Sequence, residues 1–260
     1  MSGELRVYVG TYTEAIRFGT GELFQGQGQG IHFFRLDKST GAMEALGVTR
    51  GVKNPSYLCT DPSRRFLYAV NELKSFEGGE GGTVSAFSID RSSGALEFLN
   101  LQPTRGTDPC HVATDATGRH VTVANFMSGS VSVYPIEEDG RLGEASAFVQ
   151  HKGSSLDTAR QAGPHAHSGV FDSNNRFFYV PDLGLDKVVA YRYHNETGRI
   201  EADEGASVSM KPGAGPRHIV FSPDSRFAYV INELDSTVTA CSFAAATGGL
   251  TPVQTISTLP

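Results

Sequence analysis

Imidazole, guanidinium, carboxylate and amide side chains recur at two kinds of position along this 260-residue chain. The first kind follows a proline at the start of an apolar stretch and comprises His111, His165, His167, Arg217 and His218. The second kind ends an apolar stretch and comprises Asn71, Glu72, Asn125, Asp182, Asn232 and Glu233. A neutral imidazole or a carboxylate can accept a proton from water, and a guanidinium can bind an anion with two parallel hydrogen bonds. Together these residue types predict an acid–base or anion-binding site.

These two kinds of position alternate because the chain is repetitive. Four segments each begin at a proline and run through two short apolar strands separated by a turn. The prolines are Pro55, Pro109, Pro164 and Pro216, spaced by 54, 55 and 52 residues. A period near 50 residues with strand signals throughout is typical of propeller blades. The sequence therefore predicts an all-β fold, a β-propeller of four-stranded antiparallel blades.

We expect a single domain over residues 1–260, built from five repeat units. Their expected bounds are about 5–54, 55–108, 109–163, 164–215 and 216–260. The first unit contains only three strands, because Arg6–Thr13 matches the second strand of a blade and Gly30–Leu36 matches the third. A closed propeller takes such a missing strand from the far end of the chain. No closing strand follows the last unit, so we expect the chain to lack its last blades.

Strand alternation places the candidate residues on one rim of such a propeller. The entry to the first strand of a blade and the loop between its second and third strands share this rim, and the innermost strands line a central channel. We therefore expect the polar side chains to converge at the mouth of the channel. The sequence leaves open which of His165 and His167 faces the channel, although His167 lies nearer the apolar pattern of its strand. Gly-rich stretches at Gly26–Gly30 and Gly78–Gly82 are expected as insertions on the same rim.

Composition excludes several classes of function. The chain has 22 Lys and Arg against 28 Asp and Glu without a basic cluster, which argues against nucleic-acid binding. No apolar run approaches the ~18 residues of a membrane-spanning helix, and Met1–Glu14 lacks the basic and apolar regions of a signal peptide. Cys59, Cys110 and Cys241 lack the spacing of metal ligands. We expect a cytoplasmic protein without metal, cofactor, nucleic-acid partner or membrane contact.

The candidate residues lie in stretches that resemble a known family. These stretches are Tyr8–Thr13, Phe66–Glu72, Gly163–Ser168, Asp182–Lys187 and the pair Gly215–Ile219 with Tyr229–Leu234. The chain is similar over essentially its whole length to the seven-bladed lactonase propellers, which include bacterial 6-phosphogluconolactonases and fungal carboxymuconate cyclases. Because the family has seven blades and this chain has five units, the resemblance implies a chain truncated after about five blades.

The resemblance implies hydrolysis of a phosphorylated sugar δ-lactone, 6-phosphoglucono-1,5-lactone, in the pentose phosphate pathway. It places the catalytic groups on a histidine of Pro164–His167, on Arg217 and on Glu233. A neutral histidine or Glu233 is the expected base, and Arg217 is expected to bind the carbonyl oxygen or the phosphate. The remaining rim residues are expected to bind the substrate, and these are Asn71, Glu72, His111, Asn125, Asp182, His218 and Asn232.

Two other functions remain open at this point. One is the cyclisation or hydrolysis of a muconate-type lactone, with the same rim residues acting on a different anion. The other is a non-catalytic propeller that binds a partner protein over its rim, a function that the loss of two blades would favour. Uncovered faces on the outermost blades would expose apolar surface, which predicts self-association through the open edges.

Overall fold

Five antiparallel β-sheets follow one another along the computed structural model, which describes residues 4–260. Sheet 1 contains β1 (Glu4–Gly10), β4 (Gly30–Asp37) and β5 (Met43–Arg50). Sheet 2 contains β6 (Leu58–Thr60), β7 (Phe66–Asn71), β10 (Thr83–Ile89) and β11 (Leu96–Pro103). Sheet 3 contains β12 (Pro109–Thr114), β13 (His120–Asn125), β14 (Ser130–Pro135) and β15 (Ala147–Gln150).

The last two sheets and two hairpins complete the described elements. Sheet 4 contains β16 (Val170–Phe171), β17 (Phe177–Asp182), β18 (Lys187–His194), β19 (Arg199–Ala202) and β20 (Val208–Ser209). Sheet 5 contains β21 (Pro216–Phe221), β22 (Phe227–Asn232), β23 (Thr237–Ala244) and β24 (Gly249–Ser257). Separate hairpins are formed by β2 (Ala15–Arg17) with β3 (Leu23–Gln25), and by β8 (Ser75–Phe76) with β9 (Gly79–Glu80).

Strand order within the sheets confirms the predicted all-β class. Sheet 3 runs β12-β13-β14-β15 and sheet 5 runs β21-β22-β23-β24, so each chain segment meanders outward from its first strand. Sheet 1 has three strands in the order β1-β4-β5, as expected for the first unit. The first and last sheets are not paired with each other within residues 4–260, so the array of sheets is open. The single helix in this range is a three-residue 3-10 turn, η1 (Leu183–Leu185), and no helix there has the length and hydropathy to cross a membrane.

A recurrent turn joins the first two strands of each of sheets 2 to 4. In sheet 2, the Asp61 carboxylate accepts hydrogen bonds from the backbone nitrogens of Arg65 and Phe66, each at 2.8 Å. Asp115 and Asp172 make the corresponding bonds in sheets 3 and 4. Such side-chain bonds to the backbone stabilise a tight turn. They hold the paired strands in register, and register decides which side chains reach each rim.

The core lies between neighbouring sheets rather than in one central mass. The second strands β7, β13 and β17 are buried along their whole length, as their apolar sequences predict. The second strand of sheet 5, β22, differs from these because its burial alternates: Tyr229 and Ile231 are exposed. Sheet 4 covers one face of β22, and no described sheet covers the other.

Candidate active site

A cavity of about 460 Å³ opens on the rim where first-strand entries meet the loops that follow second strands. Its lining includes His167 from the segment before β16, Arg217 and His218 from the start of β21, and Glu72 and Glu233, which directly follow β7 and β22. Five of the eleven predicted site residues therefore line one cavity. Of the two histidines between which the sequence does not choose, His167 lines this cavity and His165 does not.

A β-bulge directs Arg217 toward this cavity. Pro216 pairs with Asn232 and His218 pairs with Ile231, so Arg217 is the extra residue between them. Sheet 3 has the same irregularity between Pro109 and His111, where Cys110 is the extra residue and also lines the cavity. A bulged residue is left out of the ladder and its side chain is re-aimed. The repeated bulge explains how strand entries of two sheets point into one space.

Glu233 lies between two guanidinium groups. Its Oε2 accepts a hydrogen bond from Nη1 of Arg217, and its Oε1 accepts one from Nη2 of Arg160. The Arg160 and Glu233 side chains are about one-fifth exposed, whereas that of Arg217 is 43% exposed. Charge-assisted bonds of this kind are strong and directional, so the carboxylate holds both arginines in place at the cavity wall.

A cluster of imidazoles forms the wall next to Arg217. The His167 ring meets the His218 ring edge to face at 4.9 Å between centroids. Burial and the nearby Arg217 charge hold the pKa of His167 well below its usual range and lower the pKa of His218. Both imidazoles are therefore neutral at pH 7. The His167 Nδ1 is buried and has no hydrogen-bond partner among the described residues.

Two carboxylates lie on the wall contributed by sheets 2 and 3. Tyr12 donates from its hydroxyl to Oε2 of Glu72 at 2.9 Å, and burial raises the pKa of Glu72. Asp108 is buried at the entry to β12, with the Lys74 ammonium 3.0 Å from its Oδ2, and burial also raises the pKa of Asp108. Both carboxyl groups therefore take up a proton at a higher pH than exposed carboxyl groups of the same type.

The hairpin of β2 and β3 forms the outer wall of the cavity and lies in the insertion expected before Gly30. Phe18 packs against Tyr12 and Phe24, with ring centroids 5.7 and 5.8 Å away. Arg17 lines the cavity, and its guanidinium donates to the carbonyl of Gly21 within the same hairpin. The aromatic contacts and the Tyr12–Glu72 bond therefore attach this insertion to the rim.

Four predicted site residues lie outside the cavity lining and are held by buried hydrogen bonds. The Asn71 Oδ1 accepts from the hydroxyls of Thr83 and Ser85, and Asn232 Nδ2 donates to Thr237 and Thr239. Asn125 and Asp182 are fully buried as well. Asn125 Nδ2 donates to the Thr104 carbonyl and to Ser130 Oγ. The Asp182 carboxylate contacts His151 Nδ1 and accepts from the backbone nitrogens of His165, Gly184 and Leu185.

The two remaining predicted histidines do not line this cavity either. His165 stacks on Phe126 at 4.8 Å, and its Nδ1 lies 3.0 Å from the Phe126 carbonyl. His111 packs on Tyr57 at 4.3 Å, and burial with His218 beside it lowers the pKa of His111 to about 3. Both therefore contact residues that line the cavity, Phe126 and Tyr57, rather than lining it themselves.

Sequence reasoning missed several cavity residues, and Arg160 is the most informative. Arg160 belongs to the irregular segment between β15 and β16, where no strand periodicity marks its position. Its position four residues before Pro164 was the available signal, because that segment leads into a first-strand entry on the same rim. Tyr12 and Asp108 were missed for a similar reason, since both lie in connections outside the strands, and Arg17 was missed because it lies in the short β2 of an insertion.

The cavity contains no grouping suited to a metal ion. Among residues 4–260, no three His, Cys, Asp or Glu side chains lie close enough together to hold one. The chemistry that its residues can perform is proton transfer by a neutral imidazole and stabilisation of an anion by guanidinium groups.

Several proteins with similar sequences are named 6-phosphogluconolactonase. A 6-phosphogluconolactonase of Bacillus subtilis is 35% identical over 253 residues, which is 97% of this chain and 66% of the relative. A 6-phosphogluconolactonase of Enterobacter is 31% identical over 234 residues, covering 90% of this chain and 64% of that protein. The chain spans about two thirds of the length of the curated relatives it matches.

Solved structures and a family model agree with these relatives. The structure of a periplasmic gluconolactonase from Pseudomonas aeruginosa superposes with a TM-score of 0.86 at 34% identity, covering 99% of this chain and 69% of that one. The family model described as "Lactonase, 7-bladed beta-propeller" matches residues 6–260. This chain therefore belongs to the lactonase family of seven-bladed β-propellers.

Proposed function

We propose that the cavity hydrolyses the δ-lactone of a sugar acid, and that its substrate is 6-phosphoglucono-1,5-lactone. One observation carries the proposal: a neutral, unpartnered His167 lies on the same cavity wall as the Arg217–Glu233 pair. The names of the similar proteins, 6-phosphogluconolactonase and gluconolactonase, support the same reaction class. The product would be 6-phosphogluconate, the acid of the pentose phosphate pathway.

The reaction requires a base and a group that binds the developing oxyanion. A water oxygen attacks the lactone carbonyl carbon and gives one proton to the His167 imidazole, while Arg217 donates hydrogen bonds to the carbonyl oxygen as it becomes negative. The bond from that carbon to the ring oxygen then breaks, and the ring oxygen takes the proton back from His167 as it becomes a hydroxyl. The new carboxylic acid releases its own proton to solvent. The low pKa of His167 makes it a weak base. A weak base is adequate, because a δ-lactone already opens readily in water.

Glu233 serves as a positioning residue in this proposal. Sequence reasoning left a histidine of Pro164–His167 and Glu233 as alternative bases. In the structure both Glu233 oxygens already accept hydrogen bonds, one from Arg160 and one from Arg217. The carboxylate therefore fixes the guanidinium that faces the carbonyl oxygen, and the imidazole accepts the proton.

Ligand binding by the chain as it exists tests the proposal directly. Thermal unfolding is measured with and without 6-phosphogluconate, because a ligand that binds the native state raises the melting temperature. Hydrolysis of 6-phosphoglucono-1,5-lactone is then followed by the release of acid, with His167→Gln as the variant. We expect a raised melting temperature, turnover above the spontaneous rate, and loss of that turnover in the variant. No shift and no turnover would refute this function and leave the muconate-type and non-catalytic alternatives.

The cytoplasmic location stays a proposal that rests on the reducing-compartment pattern of cysteine use. The three cysteines are free thiols in the structure. Since a similar structure is described as periplasmic, location is tested by fractionating cells that produce the protein with a carboxyl-terminal tag.

A further inference from the structure

Arg160 belongs to an irregular segment that buried contacts hold in a defined shape. Gln161 is fully buried: its Nε2 donates to the Leu183 carbonyl at 2.8 Å, and its Oε1 accepts from the Asp157 nitrogen at 3.1 Å. Ser155 donates from its hydroxyl to the buried Asp186 at 2.5 Å. Because the residue after Arg160 is fixed in this way, the guanidinium reaches the cavity from a rigid support. Such preorganisation is typical of binding sites.

The group of Arg160, Glu233 and Arg217 has an excess of positive charge. One carboxylate accepts from two guanidinium groups, so these three side chains together carry one net positive charge, with Glu72 on the same cavity near the Arg217 side. A guanidinium carries five N–H donors, and Glu233 receives a single hydrogen bond from each arginine. Both arginines line the cavity with donors to spare. An anion with several oxygens would use these donors and balance the charge.

The two arginines are not equivalent in position. Arg217 is the guanidinium that lowers the pKa of both His167 and His218, so it lies on the imidazole side of Glu233. Arg160 bonds the other oxygen of the same carboxylate and is not among the charges that lower the pKa of His218. The cavity wall therefore presents imidazole, Arg217, Glu233 and Arg160 in this order. A ligand with its carbonyl at His167 and Arg217 would extend its far end toward Arg160.

We propose that Arg160 binds the phosphate of a phosphorylated lactone and makes this site selective for phosphorylated over unphosphorylated sugar lactones. The inference rests on the proposed function and deepens it. A phosphate monoester carries more charge than a carboxylate at pH 7 and has three terminal oxygens, which suit the fork of a guanidinium. Selectivity then arises at the end of the substrate that does not react.

Comparing a phosphorylated ligand with its unphosphorylated counterpart tests the role of Arg160 separately from the hydrolytic function. The kcat/KM of the wild-type chain and of Arg160→Ala is measured with 6-phosphoglucono-1,5-lactone and with glucono-1,5-lactone. Loss of a charge-assisted bond predicts a fall of about 30-fold for the phosphorylated lactone, mostly in KM. For the unphosphorylated lactone we expect less than about threefold change. The dissociation constants of 6-phosphogluconate and gluconate, measured by calorimetry, provide the same comparison without turnover.

Controls make each outcome decisive. Arg119→Ala removes an exposed arginine from a surface ion pair with Glu196, and we expect it to leave both substrates unaffected. Arg160→Lys retains the charge without the fork and should restore part of the phosphate preference. Equal losses for both lactones in Arg160→Ala would overturn the proposal, because Arg160 would then act only by positioning Glu233. Equal affinity of the wild-type chain for 6-phosphogluconate and gluconate would also overturn it. Binding of 6-phosphogluconate without turnover would refute the hydrolytic function alone.

Discussion

Arg217 and Glu233 are sixteen residues apart in the chain, and they form an ion pair beside the paired ends of β21 and β22. The antiparallel register places Pro216 opposite Asn232, so the residues that follow each of them emerge on the same rim. Arg217 lies in the bulge and Glu233 follows the last residue of β22, so neither residue is paired in the β-ladder and both side chains can reach the cavity. Their spacing in the sequence is thus a direct result of the turn between the two strands.

This pair supports the first prediction. We expect Arg217→Ala and Glu233→Ala each to lower kcat/KM for lactone hydrolysis at least about 100-fold, because one removes the oxyanion donor and the other removes its support. Both side chains are partly exposed, so the melting temperature should change little. Turnover is measured by acid release and unfolding by circular dichroism. Unchanged turnover in either variant would exclude that residue from the site.

The buried histidines predict how stability depends on pH. His111 has a pKa of about 3 when folded, against an ordinary value near 6.5, because burial disfavours its charged form. Below pH 6.5 the unfolded chain binds a proton that the folded chain does not, so the free energy of unfolding falls as the pH falls toward 3. At pH 5 this single residue should cost about 2 kcal/mol relative to pH 8.

Denaturant titrations at several pH values test this dependence. The comparison is between the wild-type chain and His111→Gln, which cannot bind the proton. We expect the variant to be less stable than the wild type at pH 8, because the substitution removes the packing of His111 on Tyr57. Its free energy of unfolding should decline less steeply between pH 6.5 and 5. Parallel curves for the two proteins would contradict the assignment of the buried neutral state to His111.

A buried network predicts that Asp182 is structural. The His151 ring lies between Asp182 and Tyr191, with Nδ1 to Oδ2 and Nε2 to hydroxyl distances of 2.6 Å each. Asp182→Ala would leave His151 and the His165 nitrogen without their buried acceptor, so we expect a loss of about 3 kcal/mol in the free energy of unfolding. Urea unfolding measures the loss. The control Asp90→Ala, on an exposed turn, should barely change stability; equal effects would show that burial is not the cause.

Asn71, at the end of β7, is predicted to have a structural role like that of Asp182. Its amide accepts from Thr83 and Ser85 and donates to the Lys53 carbonyl, so it ties β7 to β10 and to the preceding segment. Truncation in Asn71→Ala should reduce the free energy of unfolding by about 2 kcal/mol, since buried donors and acceptors lose their partners. The folded fraction should retain its KM, because the side chain does not line the cavity. A raised KM with unchanged stability would contradict this prediction and indicate that Asn71 binds the substrate.

Self-association through open edges stays a prediction. On sheet 5, Val220 pairs with Tyr229, and both are exposed together with Ile231. An apolar patch of this kind favours contact with another apolar surface. We expect sedimentation velocity to show dimers or larger species at micromolar concentration, and Tyr229→Ser with Ile231→Ser to shift the chain toward the monomer. A wild-type monomer that binds no hydrophobic dye would exclude such association.

The sequence alone determined the fold class and the rim. The proline spacing and the short apolar strands are local signals, and they predicted the four-stranded antiparallel sheets that the structure contains. Because side chains alternate along a strand and direction alternates between strands, those signals were also sufficient to place Arg217, Glu233, Glu72, His218 and His167 on one rim.

Only the tertiary structure decided which rim residues line the cavity and what state they adopt there. Asn71, Asn125, Asp182 and Asn232 have the same residue types as site residues, but their hydrogen bonds run within and between the strands. Arg160 arrives from an irregular segment whose path depends on contacts with Leu183 and Asp186. Burial and the charge of a residue fifty positions away set the pKa of His167. Such effects depend on distances between sheets, and no local pattern in the sequence encodes those distances.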